Sequence, residues 1–97
     1  MITSKQRAYL RSLANRIPSI LQIGKDGVVP NIVKQFDDAL EARELVKANV
    51  LDNSPYTARE ACDELSRELK AEPVQVIGKV FVLYRQSSDV KKRNIEI

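Results

Sequence analysis

Apolar residues recur at helical spacing in three stretches of the chain. The first stretch starts at a capping box, Thr3–Gln6, and stops at Pro18, which cannot continue a helix. The second covers residues 30–43 and has a proline in its first turn. The third is expected to start at Ser54 as N-cap, with Pro55 in the first turn. The predicted apolar faces are Tyr9, Leu10, Leu13, Ala14 and Ile17, then Ile32, Val33, Phe36 and Leu40, then Ala58, Ala61, Cys62, Leu65 and Leu69.

Four shorter segments have the composition of β-strands, namely residues 19–23, 44–51, 74–77 and 80–84. Gly78-Lys79 joins the last two in a tight hairpin. The element order is α-β-α-β-α-β-β, with two βαβ crossovers before the hairpin. It predicts an α/β fold in which a four-stranded mixed sheet packs against three helices. We expect a single domain over residues 1–86 and a basic, mobile C-terminal tail over residues 87–97.

A glycine-containing loop, Gly24-Lys25-Asp26-Gly27, separates the first predicted strand from the second helix. Glycine lets the backbone approach a ligand closely, and the N-terminus of a helix suits phosphate. Lys25 adds a full positive charge, whereas Val29 has no side-chain oxygen to cap the helix. The loop is either a backbone contact for RNA, as in KH domains, or an ordinary strand-to-helix turn. A P-loop is excluded, because its first-glycine spacing and the Ser/Thr after the lysine are missing.

Charge is distributed unevenly along a chain whose net charge is only +3. Residues 1–34 carry six basic and one acidic side chain, a net of +5. Residues 35–72 carry five basic and ten acidic side chains, a net of −5, and residues 73–97 carry five and two, a net of +3. This polarity is typical of a protein that docks on a polyanion in one orientation. On a helical wheel, the first helix has Arg7 and Arg11 on one flank and Lys5 and Arg16 on the other.

Composition disfavours an enzyme, a metal site and a cofactor. The chain has no histidine and one cysteine, so it lacks the commonest general base and cannot build a Cys/His zinc site alone. Cys62 falls on an apolar stripe and is expected in the core. The third helix carries an exposed acidic face, where desolvation cannot tune carboxylate pKa values for catalysis. That face consists of Glu60, Asp63, Glu64 and Glu68, with Arg59 and Arg67 between them.

Nothing in the sequence indicates a membrane or secreted protein. No apolar run approaches the roughly 20 residues of a membrane span, and no signal peptide is visible. A lone cysteine fits a reducing compartment, so we expect the protein in the cytoplasm. Aromatic content is 5%, which gives little support to an aromatic base-stacking platform. Recognition of RNA would then depend on phosphate contacts and RNA shape.

The order and spacing of several short motifs resemble a known family, the stand-alone CRM domain (chloroplast RNA splicing and ribosome maturation) of the bacterial YhbY-like kind. The resemblance covers about residues 2–86. One departure is Val29, where many relatives have threonine. The matching motifs are Thr3-Ser4-Lys5-Gln6-Arg7 with Leu10, Leu13 and Ala14; Ile23-Gly24-Lys25-Asp26-Gly27; Glu44-Leu45-Val46-Lys47; Val76-Ile77-Gly78-Lys79; and Val82-Leu83-Tyr84-Arg85.

The resemblance implies a fold similar to the C-terminal domain of translation initiation factor 3, and RNA binding without catalysis. It also implies association with precursors of the large ribosomal subunit, where ribosomal RNA and possible ribosomal-protein partners are present. We expect a monomer. The competing hypothesis is a protein-interaction adaptor that uses the acidic face of the second and third helices. The predicted RNA contacts are Gly24, Lys25, Asp26, Gly27, Lys5, Arg7, Arg11, Lys34, Lys79 and Arg85, the last being equally compatible with a strand-end salt bridge.

Overall fold

The computed structural model describes residues 2–97 and contains three helices and four strands in the predicted order. The α/β fold with a four-stranded mixed sheet is therefore confirmed. The elements are α1 (Ser4–Ala14), β1 (Leu21–Ile23), α2 (Pro30–Arg43), β2 (Leu45–Val50), α3 (Ala58–Leu69), β3 (Glu72–Ile77) and β4 (Val80–Tyr84), followed by a single 3-10 turn, Val90–Lys92.

The helix starts follow capping chemistry. The Thr3–Gln6 capping box of α1 is confirmed, and α2 begins at Pro30 after Val29, which makes no side-chain cap. The predicted start of α3 at Ser54 is wrong. Thr57 is the N-cap, because its hydroxyl and the Glu60 side chain together satisfy two backbone N–H groups. Ser54 instead accepts a hydrogen bond from the Tyr56 N–H at 3.1 Å within the preceding turn.

The strand order is β1-β2-β4-β3. β1 and β2 are parallel, whereas β4 is antiparallel to both β2 and β3. The α3 crossover therefore passes over β4 and leaves β1 and β3 as the two open edges. Ile23 pairs with Val50, and Val80 pairs with Asn49. This register places the Gly24–Gly27 loop, the β2–α3 connection and the β3–β4 hairpin at one end of the sheet, which we call the loop end.

The sheet separates two apolar cores. α2 and α3 cover one face, where the ring of Phe36 stacks on Phe81 with centroids 5.9 Å apart. α1 covers the other face through Leu10 and Ala14. α1 stops at Ala14, three residues before the predicted end. There the Lys47 ammonium donates to the carbonyl oxygens of Ala14 and Ile17 at 3.3 and 3.4 Å, which supplies a donor at a helix end where Pro18 has no N–H to offer.

The C-terminal segment lies on the domain, where Ser87 and Ser88 donate hydrogen bonds to Glu41 and three backbone N–H groups donate to Glu44. This carboxylate is fully buried and accepts hydrogen bonds from the backbone N–H groups of Ser87, Asn94 and Ile95 at 2.8, 2.8 and 3.2 Å. Ile95 then packs against the α1 core. The mobility expected for residues 87–97 stays a prediction, but these contacts give the segment a defined place beside α1.

Candidate nucleic-acid interface

The Gly24–Gly27 loop is a tight turn between β1 and α2. The Gly27 N–H donates a hydrogen bond to the Gly24 carbonyl at 3.0 Å, which leaves Lys25 and Asp26 exposed at the tip. The Leu51 N–H donates to the Ile23 carbonyl at 2.9 Å and attaches the base of the loop to the segment after β2. The loop therefore presents a cation from a well-anchored base.

The fold requires only the second of the two loop glycines. Gly27 has a φ of +69°, and a Cβ there would lie 2.5 Å from Cε1 of Tyr56. Gly24 lies outside the left-handed region, and a Cβ would meet only Leu51 Cδ1 at 3.9 Å, an ordinary contact. An ordinary turn thus accounts for Gly27 but gives no reason for Gly24. Close approach of a ligand backbone would give one.

Tyr56 forms the support on which Gly27 rests. Its hydroxyl donates a hydrogen bond to the Glu64 carboxylate at 3.1 Å, and this bond raises the pKa of Tyr56 above its ordinary value. Its backbone N–H is bonded to Ser54. The ring is therefore held at both ends, so the β2–α3 connection fixes the position of the loop.

Lys79 joins Lys25 at the loop end. It lies in the β3–β4 hairpin, where Gly78 has a φ of +56°. Its ammonium pairs with Asp52 in an exposed ion pair. An exposed pair of this kind contributes little to stability, so a polyanion can compete with Asp52 for the lysine.

Three arginines border the open edge of β3. A groove of about 570 Å³ runs along residues 73–77, with Arg7 and Arg11 of α1 on one side and Arg59 of α3 on the other. Nε of Arg7 donates to the Pro73 carbonyl at 3.1 Å, whereas the Arg11 side chain is exposed. We call this feature the β3-edge groove. It is open to solvent because β3 has no neighbouring strand on that side.

Arg59 is a candidate that sequence reasoning missed. It appears in the sequence as one of two arginines on an acidic helical face. Its only ion pair among residues 2–97 is an exposed one, 4.0 Å from Asp63. The available signal was its position as the second residue of α3. Its proximity to Arg7 and Arg11 is known only once α3 is seen to cross to the β3 edge.

Arg85 lies at the opposite end of the sheet from the loop. Its side chain is 18% exposed, and Nη1 lies 2.9 Å from Oδ1 of Asp37. The guanidinium also donates to the Leu69 carbonyl at 3.1 Å and lies 3.4 Å from the Glu41 carboxylate. The structure therefore favours the ion-pair interpretation of Arg85, and this residue is left out of the proposed interface.

Lys34, near the start of α2, and Lys5, in α1, lie outside the β3-edge groove. Lys34 is 3.3 Å from Asp38 one turn along α2, beside a groove with an acidic lining. Lys5 is exposed in the first turn of α1, near the point where the Ile2 N–H donates to Glu72 at the start of β3. Of the ten predicted contacts, the loop, Lys79, Arg7 and Arg11 are the ones that the fold gathers on connected surfaces.

The described residues offer little for other chemistry. Within residues 2–97, no group of three or more His, Cys, Asp or Glu side chains is arranged to hold a metal ion. Cys62 is fully buried, as predicted, and burial raises the pKa of its thiol. A search of the same residues finds no helix with the length and apolar character needed to cross a bilayer.

Comparison with known proteins agrees with this geometry. The family model for the CRS1 / YhbY (CRM) domain matches residues 2–85. The chain is similar to Probable RNA-binding protein YqeI of Bacillus subtilis, with 41% identity over 95% of this chain and 96% of the relative. It is also similar to an RNA-binding protein of Haemophilus influenzae, with 31% identity over 93% and 91%.

A solved structure extends the comparison to three dimensions. The solution structure of SAV1595 from Staphylococcus aureus matches with a TM-score of 0.70 and 45% identity, covering 99% of this chain and 100% of that one. Family model, sequence relatives and fold agree over nearly the whole chain. The chain therefore belongs to the CRS1 / YhbY (CRM) domain family.

Proposed function

We propose that the protein binds structured ribosomal RNA in precursors of the large ribosomal subunit, and that it acts there as a non-enzymatic assembly factor. The relatives named as RNA-binding proteins support RNA as the partner. The observation that carries the proposal is the convergence of cations around the β3-edge groove and the loop end. Arg7, Arg11 and Arg59 border the groove, and Lys25 and Lys79 lie at the end to which it leads.

The proposed mechanism is electrostatic docking. Guanidinium groups along the groove bind phosphates and fix the orientation of the RNA, while Gly24 lets the RNA backbone approach the loop closely. Asp26, beside Lys25, is exposed to solvent and has no ion pair within residues 2–97. Binding releases counterions, so affinity falls with salt in proportion to the number of phosphates contacted. The protein is proposed to act as a monomer in the cytoplasm, to stabilise an assembly intermediate and then to leave.

The test is a salt titration of RNA binding. We expect Lys25→Gln combined with Arg11→Gln to lower the slope of log affinity against log salt by about 1.4–1.8, because each lost phosphate contact removes about 0.7–0.9. Lys34→Gln is the single-cation control, since Lys34 borders the acidic groove formed by Asp37, Glu64 and Glu68. Filter binding to a transcript of large-subunit ribosomal RNA measures the salt slope of the double variant and that of the control. An unaltered slope in the double variant would remove the loop and the groove from the mechanism.

The competing adaptor hypothesis uses the acidic groove between α2 and α3. The acids of this groove are Asp37, Glu64 and Glu68. Asp37 already binds Arg85, and Glu64 already accepts the Tyr56 hydroxyl, so two of the three carboxylates are engaged within the domain. The groove therefore offers less free charge than the basic surface. Partners retained in a pull-down after nuclease treatment would favour the adaptor.

A further inference from the structure

A second groove, of about 400 Å³, lies on the α1 face of the sheet, on the flank of α1 opposite the β3-edge groove. Leu13, Ile17 and Ile20 supply apolar walls, and Tyr9 borders it with 47% of its surface exposed. Ile20 is also partly exposed, at 38%. We call this feature the Tyr9 groove. Its volume is within the usual range of small-ligand sites.

The charges that line the Tyr9 groove are all positive. Arg16, Arg43 and Lys47 border it, and none of its lining residues is acidic. Lys47 is bonded to the carbonyl groups at the end of α1. Among residues 2–97, neither Arg16 nor Arg43 has a carboxylate within 4.0 Å. An apolar groove with two uncompensated guanidinium groups suits a ligand that combines a flat apolar part with negative charge.

The C-terminal segment completes the groove. Asn94 and Ile95 form one wall, and both donate backbone hydrogen bonds to the buried Glu44 carboxylate. Glu44 is thus a positioning residue for the wall. Glu44 lies at the α2–β2 junction, yet its hydrogen bonds hold a wall of the groove on the α1 face of the sheet.

We propose that the Tyr9 groove accommodates one unstacked base of the bound RNA. Tyr9 offers a stacking surface, while Arg16 and Arg43 bind the adjoining phosphates. This inference rests on the proposed function, since it assumes that RNA is the partner. It adds recognition of an unpaired nucleotide to a mechanism otherwise based on phosphates. RNA fits better than a peptide, because it supplies a planar base and a negative charge at every residue.

The test compares two single-stranded probes with the same number of phosphates, an oligoadenylate and a chain of abasic ribonucleotides. We expect the protein to prefer the oligoadenylate by about 5- to 150-fold, the range for stacking one base on an aromatic side chain. Tyr9→Leu should abolish the preference, whereas Tyr9→Phe should retain it. Arg16→Gln with Arg43→Gln should weaken binding of both probes.

The outcomes separate this inference from the proposed function. Equal affinity for the two probes, or an unchanged preference in Tyr9→Leu, would overturn the base site. So would preferential binding of polyglutamate over the oligoadenylate. Duplex ribosomal RNA serves as the reference ligand, because it should bind through the loop end and the β3-edge groove. If Tyr9→Leu keeps its affinity for the duplex, loss of the base preference is specific to the Tyr9 groove. Failure of the wild type to bind the duplex would instead refute the proposed function.

Discussion

Alanine substitutions at the three glycines separate the demands of the fold from those of RNA binding. Gly24 has neither a left-handed backbone nor a close neighbour. Gly78 has a φ of +56° but nothing within 4 Å of a Cβ. Gly27 has both a φ of +69° and a Cβ position 2.5 Å from the ring of Tyr56. The three positions therefore form a graded series within one protein.

The expected costs follow that grading. Gly24→Ala should leave stability unchanged or raise it by about 0.4–1 kcal/mol, because alanine restricts the unfolded chain. Gly78→Ala should cost about 1–2 kcal/mol for the left-handed conformation. Gly27→Ala adds overpacking of about 1–3 kcal/mol to that strain, for a total of roughly 2–5 kcal/mol. The ring of Tyr56 cannot turn away easily, since its hydroxyl is bonded to Glu64.

The variants should therefore rank differently by melting temperature and by RNA affinity. A loss of 1 kcal/mol lowers the melting temperature of a domain this size by about 4–8 °C. We expect Gly27→Ala to show the largest drop and Gly24→Ala none, while Gly24→Ala alone weakens RNA binding of the folded protein. Gly78→Asn should recover part of the loss at the hairpin, because asparagine tolerates the left-handed region. A destabilised Gly24→Ala, or one with full RNA affinity, would refute the assignment.

Three further predictions concern residues outside the proposed interface. Arg85→Gln should cost about 1.5–3 kcal/mol in urea unfolding without lowering RNA affinity, and reduced affinity at unchanged stability would restore Arg85 to the interface. Hydrogen bonds from Ser88 hold the pKa of Glu41 below its ordinary 4.5, so its contribution is present above that pH and lost as the pH falls. Glu41→Gln should therefore flatten the acid limb of stability against pH; an identical limb would contradict the contacts. Cys62 should react with a thiol reagent far more slowly in the native than in the unfolded protein, and equal rates would place it outside the core.

Local chemistry made most of the fold predictable. The Thr3–Gln6 box, Pro30 and the Gly78-Lys79 hairpin each specify an element boundary through capping or turn geometry, and each is found where the sequence predicts it. The start of α3 failed because two capping signals compete within four residues. Ser54 precedes a proline, but Thr57 has a glutamate three residues on, and the reciprocal box satisfies one more donor.

The candidate site was less predictable, because it depends on which strands become edges. Arg85 and Lys79 look alike in sequence, each placed beside a strand of the final hairpin. They flank β4 at its two ends, and at the end away from the hairpin Arg85 meets the carboxylates of α2. The α3 crossover from β2 to β3 brings Arg59 to the β3 edge. The spacing of apolar residues within one helix does not predict the tertiary contacts of Arg59 or Arg85, since those contacts come from elements distant in the chain.

Helix α1 separates the two grooves. Arg7 and Arg11 on one flank face the β3-edge groove, whereas Tyr9 on the other flank and Arg16 in the turn after α1 face the Tyr9 groove. The helical wheel predicted this separation of Arg7 and Arg11 from Arg16; the structure does place them at different grooves, although α1 ends at Ala14, before Arg16. On the proposed model, an RNA strand that crosses α1 meets the β3-edge arginines on one flank and the Tyr9 groove on the other. Because the helix is a ridge between two grooves, changes on one flank should alter salt dependence, whereas changes at Tyr9 should alter preference for unpaired bases.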